Sequence, residues 1–202
     1  MAILRANNNT LSSVTALPFA TGGLVKISTT TASGDSSVDF TGLDTTSTYS
    51  MYLLVVDNMT ADSDNAALLY LRFFTGGTIY TGSNYNNVTI QGWSSIASIG
   101  QASTALGSQA KVISYASSGY YMPGSTYEHV AGTLQLFRMN DANHPAIVNY
   151  QFGLPVSGQI HSNQSGTMTL RAGASVGDCD GLRIFLSSGN ISGTFTLYGV
   201  TA

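Results

Sequence analysis

Apolar residues along this chain come in short runs broken by Gly, Asn, Ser and Thr, and where a period is visible it is two. Thr133, Leu134, Gln135, Leu136, Phe137 and Arg138 alternate, as do Thr194, Phe195, Thr196, Leu197 and Tyr198. Successive side chains of a strand point to opposite faces, so this pattern predicts half-buried strands. The runs 49–57 (YSMYLLVVD) and 67–74 (ALLYLRFF) are continuously apolar but of strand length, as expected of central strands. Gly76-Gly77 follows the second, a hairpin signal with a return strand at 78–81. Further strands are expected at 24–28, 36–40, 88–93, 112–115, 127–139, 146–152, 166–171, 182–186 and 191–201. The NYNN segment before 88 and the polar stretch led by His161 are read as loops.

Two stretches break the pattern. Residues 94–111 (SSIASIGQASTALGSQAK) are small and Ala-rich, the one place where a short helix is expected, although Gly100 and Gly107 weaken it. Residues 1–23 show no period at all, with three consecutive Asn and a Gly22-Gly23 close. They are expected to form an arm that anchors the protein by docking Ile3, Leu4, Leu11, Leu17 and Phe19 on another surface. The remainder, 24–202, is expected to be one all-β domain, an antiparallel β-sandwich of jelly-roll-like type.

Composition sharpens that picture. Only 8% of the 202 residues are charged, against about 25% in an average soluble domain. Glu128 is the only glutamate, and Lys26 and Lys111 are the only lysines. Ser, Thr, Asn and Gly carry the polar surface, and these residues favour turns and strands over helices. Five Arg and two Lys in a chain of net charge -3 provide no basic patch, so no nucleic-acid partner is expected. No apolar run approaches the ~20 residues of a membrane span, and the opening MAILRANNNTLSS lacks the apolar stretch of a secretory leader. One cysteine, Cys179, excludes an intrachain disulfide. Sequons at Asn8, Asn58, Asn87, Asn163 and Asn190 are read as part of an Asn/Ser/Thr-rich surface.

Candidate chemistry is sparse. There is no nucleophile elbow, no phosphate-binding glycine loop and no Cys/His set for zinc, so no cofactor is expected. His129, His144 and His161 each sit in an ordinary strand-start, turn or loop context. Glu128 has no carboxylate partner at a recognisable spacing. Carboxylates flanking Cys179, from Asp178 and Asp180, would disfavour a thiolate. Asp62 with Asp64, and Asp178 with Asp180, resemble fragments of calcium loops, but both lack the closing bidentate Glu and read equally as Asx turns. The chain is therefore expected not to be an enzyme. Aromatics are the more informative set. Tyr80, Tyr85, Trp93, Tyr115, Tyr120 and Tyr121 lie among Gly, Ser and Asn, a mixture used by adaptable binding surfaces, and form the candidate glycan or partner surface. Filling a core and its rim is the alternative use of the same residues.

The opening MAILRANNNTLSSVTALP, the strand YSMYLLVVDNM, the run LLYLRFFTGGTIYTGSNY and the close ISGTFTLYGV resemble small virion structural proteins of marine tailed phages, cyanophages included. That resemblance implies a β-sandwich subunit, made in the host cytoplasm and assembled on the capsid exterior or the tail. It implies a homo-oligomer, with a trimer expected, and partners such as the major capsid protein. Within that class a decoration (cement) or fibre-type subunit competes with a receptor-binding tail fibre that grips host glycan. A polysaccharide depolymerase is a third reading, and the absence of a β-helix repeat counts against it. Far-ultraviolet circular dichroism should report helix well below about a quarter of residues, and a value near the globular average would overturn the all-β reading.

Overall fold

A computed structural model describes residues 23–201, excepting 47, 63–66, 94–98, 114–121, 123, 125–128, 142, 157–159 and 171–178. Arm residues 1–22, with the docking residues expected there, lie outside the described set. Thirteen strands and no helix occur among the described residues. They are β1 (Leu24–Asp35), β2 (Ser37–Thr41), β3 (Met51–Ala61), β4 (Leu69–Thr75), β5 (Thr78–Ile79), β6 (Tyr85–Trp93), β7 (Ile99–Gly107), β8 (Ala110–Ile113), β9 (Val130–Phe137), β10 (Ile147–Val156), β11 (Ile160–Leu170), β12 (Cys179–Leu186) and β13 (Ile191–Val200).

The strands form two antiparallel sheets. The large sheet runs β1-β13-β3-β9-β10-β11-β6-β7, and the small one β2-β12-β4-β5, with β8 also paired to β4. β5 takes the Phe74–Thr75 end of that β4 edge and β8 takes the Leu69–Leu71 end. One apolar cluster joins the sheets, from Leu54, Val56, Leu134 and Phe195 on the large sheet to Leu71, Phe73, Leu182 and Ile184 on the small one. The antiparallel all-β sandwich is as the alternation predicts, although this strand order does not establish a jelly-roll winding.

Three expectations are corrected. Residues 94–111 hold no helix among those described. β7 and β8 occupy 99–107 and 110–113, because each has a ladder to join, β6 for one and β4 for the other. Propensity is a weak prior beside such pairing. The stretch after His161 is not a loop. β11 runs unbroken from Ile160, paired on both edges with β10 and β6. Its inward positions Ser162 and Gln164 are polar, which erased the apolar alternation. Likewise Tyr85-Asn86-Asn87 of the NYNN segment already belong to β6.

The middle of the large sheet is shaped by aromatic rings laid over glycines. Tyr150 and Phe152 of β10 are buried, and their cross-strand neighbours are Gly166 on β11 and Gly132 on β9. A Cβ at 132 would fall first on the Gln151 carbonyl oxygen and then, at 2.5 Å, on Phe152 Cδ1, and one at 166 first on the Val88 carbonyl oxygen and then, at 2.5 Å, on the Tyr150 hydroxyl. Rings lying across neighbouring glycines keep the inner surface filled. At the β13–β3 pair, Gly193 at φ 149° sits where β3 bulges, with Asn58 at φ 52°. A Cβ there would come within 2.9 Å of Met59 Cα, so only glycine suits the approach. Replacing Gly132 or Gly166 with Ala is expected to cost about 1–3 kcal/mol. Denaturant unfolding would measure it, and an unchanged midpoint for both would show that neither the neighbouring carbonyl nor the ring closes these positions to a side chain.

Candidate functional site

Because strands alternate, the ladders that build the core also dictate the outer face of the large sheet. One outward row runs Thr29, Thr196, Val55, Thr133, Gln151, Ser165 and Ile90 in successive strands. Beside it runs Lys26, Tyr198, Leu53, Gln135, Asn149, Thr167 and Val88. Two adjoining hollows lie on this face and share Thr133 and Gln151. One, of about 420 Å³, lies over β9, β10, β11 and β6, and the other, of about 620 Å³, reaches across β3 to β13. Among the described residues their only charged lining side chain is Asp57. Hydroxyls and carboxamides dominate, and some already pair, as Thr167 Oγ1 donating to Asn149 Oδ1 (2.9 Å) and Thr29 with Thr196 (3.2 Å). Such groups both donate and accept, without committing to either sign of charge.

β6 is inside out. Its apolar Val88 and Ile90 point outward and are 51% and 50% exposed, whereas Asn87, Thr89 and Gln91 are buried. Those inward groups are put to use. The Asn87 amide donates to the Lys111 carbonyl (2.8 Å), Thr89 meets the Tyr150 hydroxyl (2.6 Å), and Gln91 Nε2 donates to Ser162 (3.0 Å). Burial pushes the Tyr150 phenol up, with the Thr89 bond working against it. Gln164, 1% exposed, has no partner for either amide atom.

The opposite outer face, on the small sheet, has a different character. Arg183 makes a bidentate bond to Asp39 (2.7 and 2.5 Å), which raises the guanidinium pKa. Arg72 donates to Gln109 Oε1 (2.6 Å) and the Ser108 carbonyl (3.2 Å). The Arg72 guanidinium lies over the Phe185 ring at 4.9 Å and that of Arg183 over Phe74 at 5.6 Å. Exposed Lys111 stands opposite Tyr70 at the edge of the same face. Three of the chain's seven Lys plus Arg therefore sit here.

Of the six aromatics expected to form a binding surface, Tyr80 and Tyr85 have described side chains, and Tyr85 does not lie on a surface. Tyr85 is fully buried, its ring stacked with Phe73 at 6.2 Å and its hydroxyl accepting from Phe73 N (2.8 Å) and donating to the Tyr80 carbonyl. It is a core residue, and burial drives its phenol pKa far up. Tyr80 is half-buried, packs on Tyr85 at 5.9 Å and accepts from Asn84 Nδ2 (2.6 Å), so it belongs to the core rim. Trp93 pairs through its backbone with Ser162, while its side chain and all of Tyr115, Tyr120 and Tyr121 lie outside the described residues. Sequon Asn87 is interior and not surface.

The ionisable candidates resolve into structural roles where they are described. Asp180 Oδ2 accepts from Gly77 N (2.8 Å) and so ties down the β4–β5 turn. Asp64 and Asp178 lie outside the described residues, and no group of three or more metal-ligating side chains occurs among those described. Exposed His144 meets half-buried Asp141 through Nδ1 (2.9 Å), and the Asp141 carboxyl is held low chiefly by the Asn143 N–H. His129 is exposed and Cys179 is buried. Glu128 and the His161 side chain lie outside the described residues.

The outer-face residues Thr133, Gln135, Asn149, Gln151 and Ser165 escaped the sequence reading. Their signal was the polar half of the same alternation, which carries no motif. No protein-family model matches the sequence, and no curated protein or solved structure matches the chain. Replacing Gln164 with Leu should leave stability unchanged or raise it by about 1 kcal/mol, because an unpaired buried amide is removed. A melting temperature several degrees lower would show that the amide has a partner in solution.

Proposed function

We propose that this chain is a non-enzymatic structural subunit of a phage particle, a decoration or fibre-type β-sandwich that assembles as a homotrimer. Its N-terminal arm anchors it to other virion proteins such as the major capsid protein. The observation that carries this reading is the outer face of the large sheet. Over β13, β3, β9, β10, β11 and β6 its hollows are lined by hydroxyls, carboxamides and apolar side chains with Asp57 as the one charge among the described residues, which suits presentation and contact better than acid–base chemistry. Self-association is supported by β1. It is an edge strand that follows the arm directly, and Leu24, Val25 and Ile27 are exposed along it. An exposed apolar edge strand is a template for pairing with another chain. The resemblance of the opening, the two apolar strands and the close to virion proteins supports the location.

A second reading, a receptor-binding fibre that grips host glycan, is favoured by the paired hollows. The two readings share the particle and differ in what the outer face meets.

Purified particles should contain the chain, and deleting residues 2–20 should leave a cooperatively folding domain that no longer joins them. Ordering each arm residue costs about 1–2 kcal/mol of backbone entropy, so docking of its apolar side chains must offset that cost. Normal incorporation of the truncated chain would end the anchor idea. Failure of the truncated chain to fold would make the arm part of the core. A monomer by sedimentation at micromolar concentration would end the trimer.

A further inference from the structure

We propose that the trough across β13, β3, β9, β10, β11 and β6 binds an uncharged oligosaccharide whose chain lies across the strands. This deepens the glycan-recognising reading and rests on it, though not on where in a particle the protein sits.

Geometry is the first argument. Neighbouring strands repeat every ~4.8 Å, close to the rise of one sugar residue in an extended β-linked chain. A row such as Thr196, Val55, Thr133, Gln151, Ser165 and Ile90 therefore sets one side chain beneath each successive sugar. Six strands span roughly 24 Å, room for a short oligomer.

Chemistry is the second. Sugar hydroxyls donate and accept at once, and carboxamides and side-chain hydroxyls answer them in kind. Asp57 is the only charge lining either hollow among the described residues, and Lys26 stands beyond Tyr198 at the β1 edge of the same face, whereas Arg72, Lys111 and Arg183 gather on the opposite sheet. An acidic polymer would be drawn to that other face, and a neutral one has no reason to be. A second copy of the chain is disfavoured too, since a rigid protein surface would strand some of these amides without partners.

The third argument is the reversal of β6. A strand that buries Asn87, Thr89 and Gln91 and exposes Val88 and Ile90 gives up core burial. Those two side chains form an apolar end to the trough, and the Tyr198 ring stands at the other. Apolar contacts of this kind suit the C–H faces of sugar rings. The floor needs no ordering on binding, because β9, β10 and β11 are each paired on both edges.

The test uses the full chain and a panel of neutral oligosaccharides built from glucose, mannose, galactose or N-acetylglucosamine, with dextran sulfate as the acidic control. Titration followed by amide NMR and calorimetry should show at least one neutral oligomer binding at up to millimolar concentration, with shifts concentrated on β9, β10 and β11. The double variant Asn149→Ala/Gln151→Ala should weaken it about ten-fold or more while keeping the wild-type melting curve. Lys111→Ser, on the opposite face, should leave it unchanged. Overturning results are no neutral sugar bound, binding insensitive to the double variant, or binding of dextran sulfate alone. If Gln151→Lys dissociates an oligomer, the face is a contact between copies and the proposal also falls. None of these outcomes bears on whether the chain is found in particles, so that reading stands or falls separately.

Discussion

β9 is paired with β3 on one edge and β10 on the other, and the register of those two ladders decides what both faces of the large sheet are. With Leu54 opposite Leu134 and Leu134 opposite Tyr150, the apolar half of each strand faces the small sheet. A slip of one residue would exchange every inward side chain for its outward neighbour. Thr133 and Gln135 would then enter the core, and Leu134 and Leu136 would face water. The register is held by packing as much as by hydrogen bonds. Phe152 fits over Gly132 and Tyr150 over Gly166, and neither ring has such a place in a shifted pairing. Core and outer face are thus two results of one constraint.

That constraint weakens steadily across the sheet. Inward rows read Leu197, Leu54, Leu134, Tyr150, Gly166, Thr89 and Phe195, Val56, Gly132, Phe152, Gln164, Gln91 from β13 to β6. Each begins aliphatic or aromatic and ends polar. At the β6 end, bonds replace apolar packing. Asn87 and Thr89 reach the Lys111 carbonyl and so stitch the large sheet to β8. A neutral bond of this sort contributes about 1 kcal/mol, whereas burial of a large apolar side chain contributes about 1.5–3. Around Thr89, Gln91 and Gln164, whose amide has no partner among the described residues, the core is therefore held less by apolar packing, although Tyr85, Met168 and Leu170 of the same two strands are fully buried.

Much of the fold was legible because the period of two is plain in β9 and β13, and because the apolar run of β3 has the length of a central strand. The parts that were not legible share a cause. In the first half of β11 the inward Ser162 and Gln164 are polar, so no alternation marks it, and in the small and polar sequence of β7 only the ladder to β6 makes a strand. In β6 the alternation is plain but its sense is reversed, which no local pattern discloses. The site was harder still. Tyr80 and Tyr85 look like a surface cluster in composition, yet Tyr85 buries its ring and uses its hydroxyl to accept from the Phe73 N–H. A phenol is equally suited to a core rim and a wet surface, and sequence does not distinguish them.

The two outer faces divide the chain's few charges. A chain with 8% charged residues has little to spend on solubility, and here Arg72 and Arg183 are half committed to rings and to neutral or acidic partners. Hydroxyl and amide side chains solubilise the large sheet instead, as they hydrate well without a field. The absence of a field also has a consequence for recognition. With Asp57 as its only lining charge among the described residues, the trough would gain little from long-range steering, and the proposed ligand would be selected chiefly by contact. Binding there should be nearly insensitive to salt, whereas any partner of the Arg72–Arg183 face should be released by it. Ionic strength thus separates the two faces experimentally without altering a residue, because Arg72, Arg183 and Lys111 gather on the small sheet whereas the described lining of the trough carries Asp57 alone.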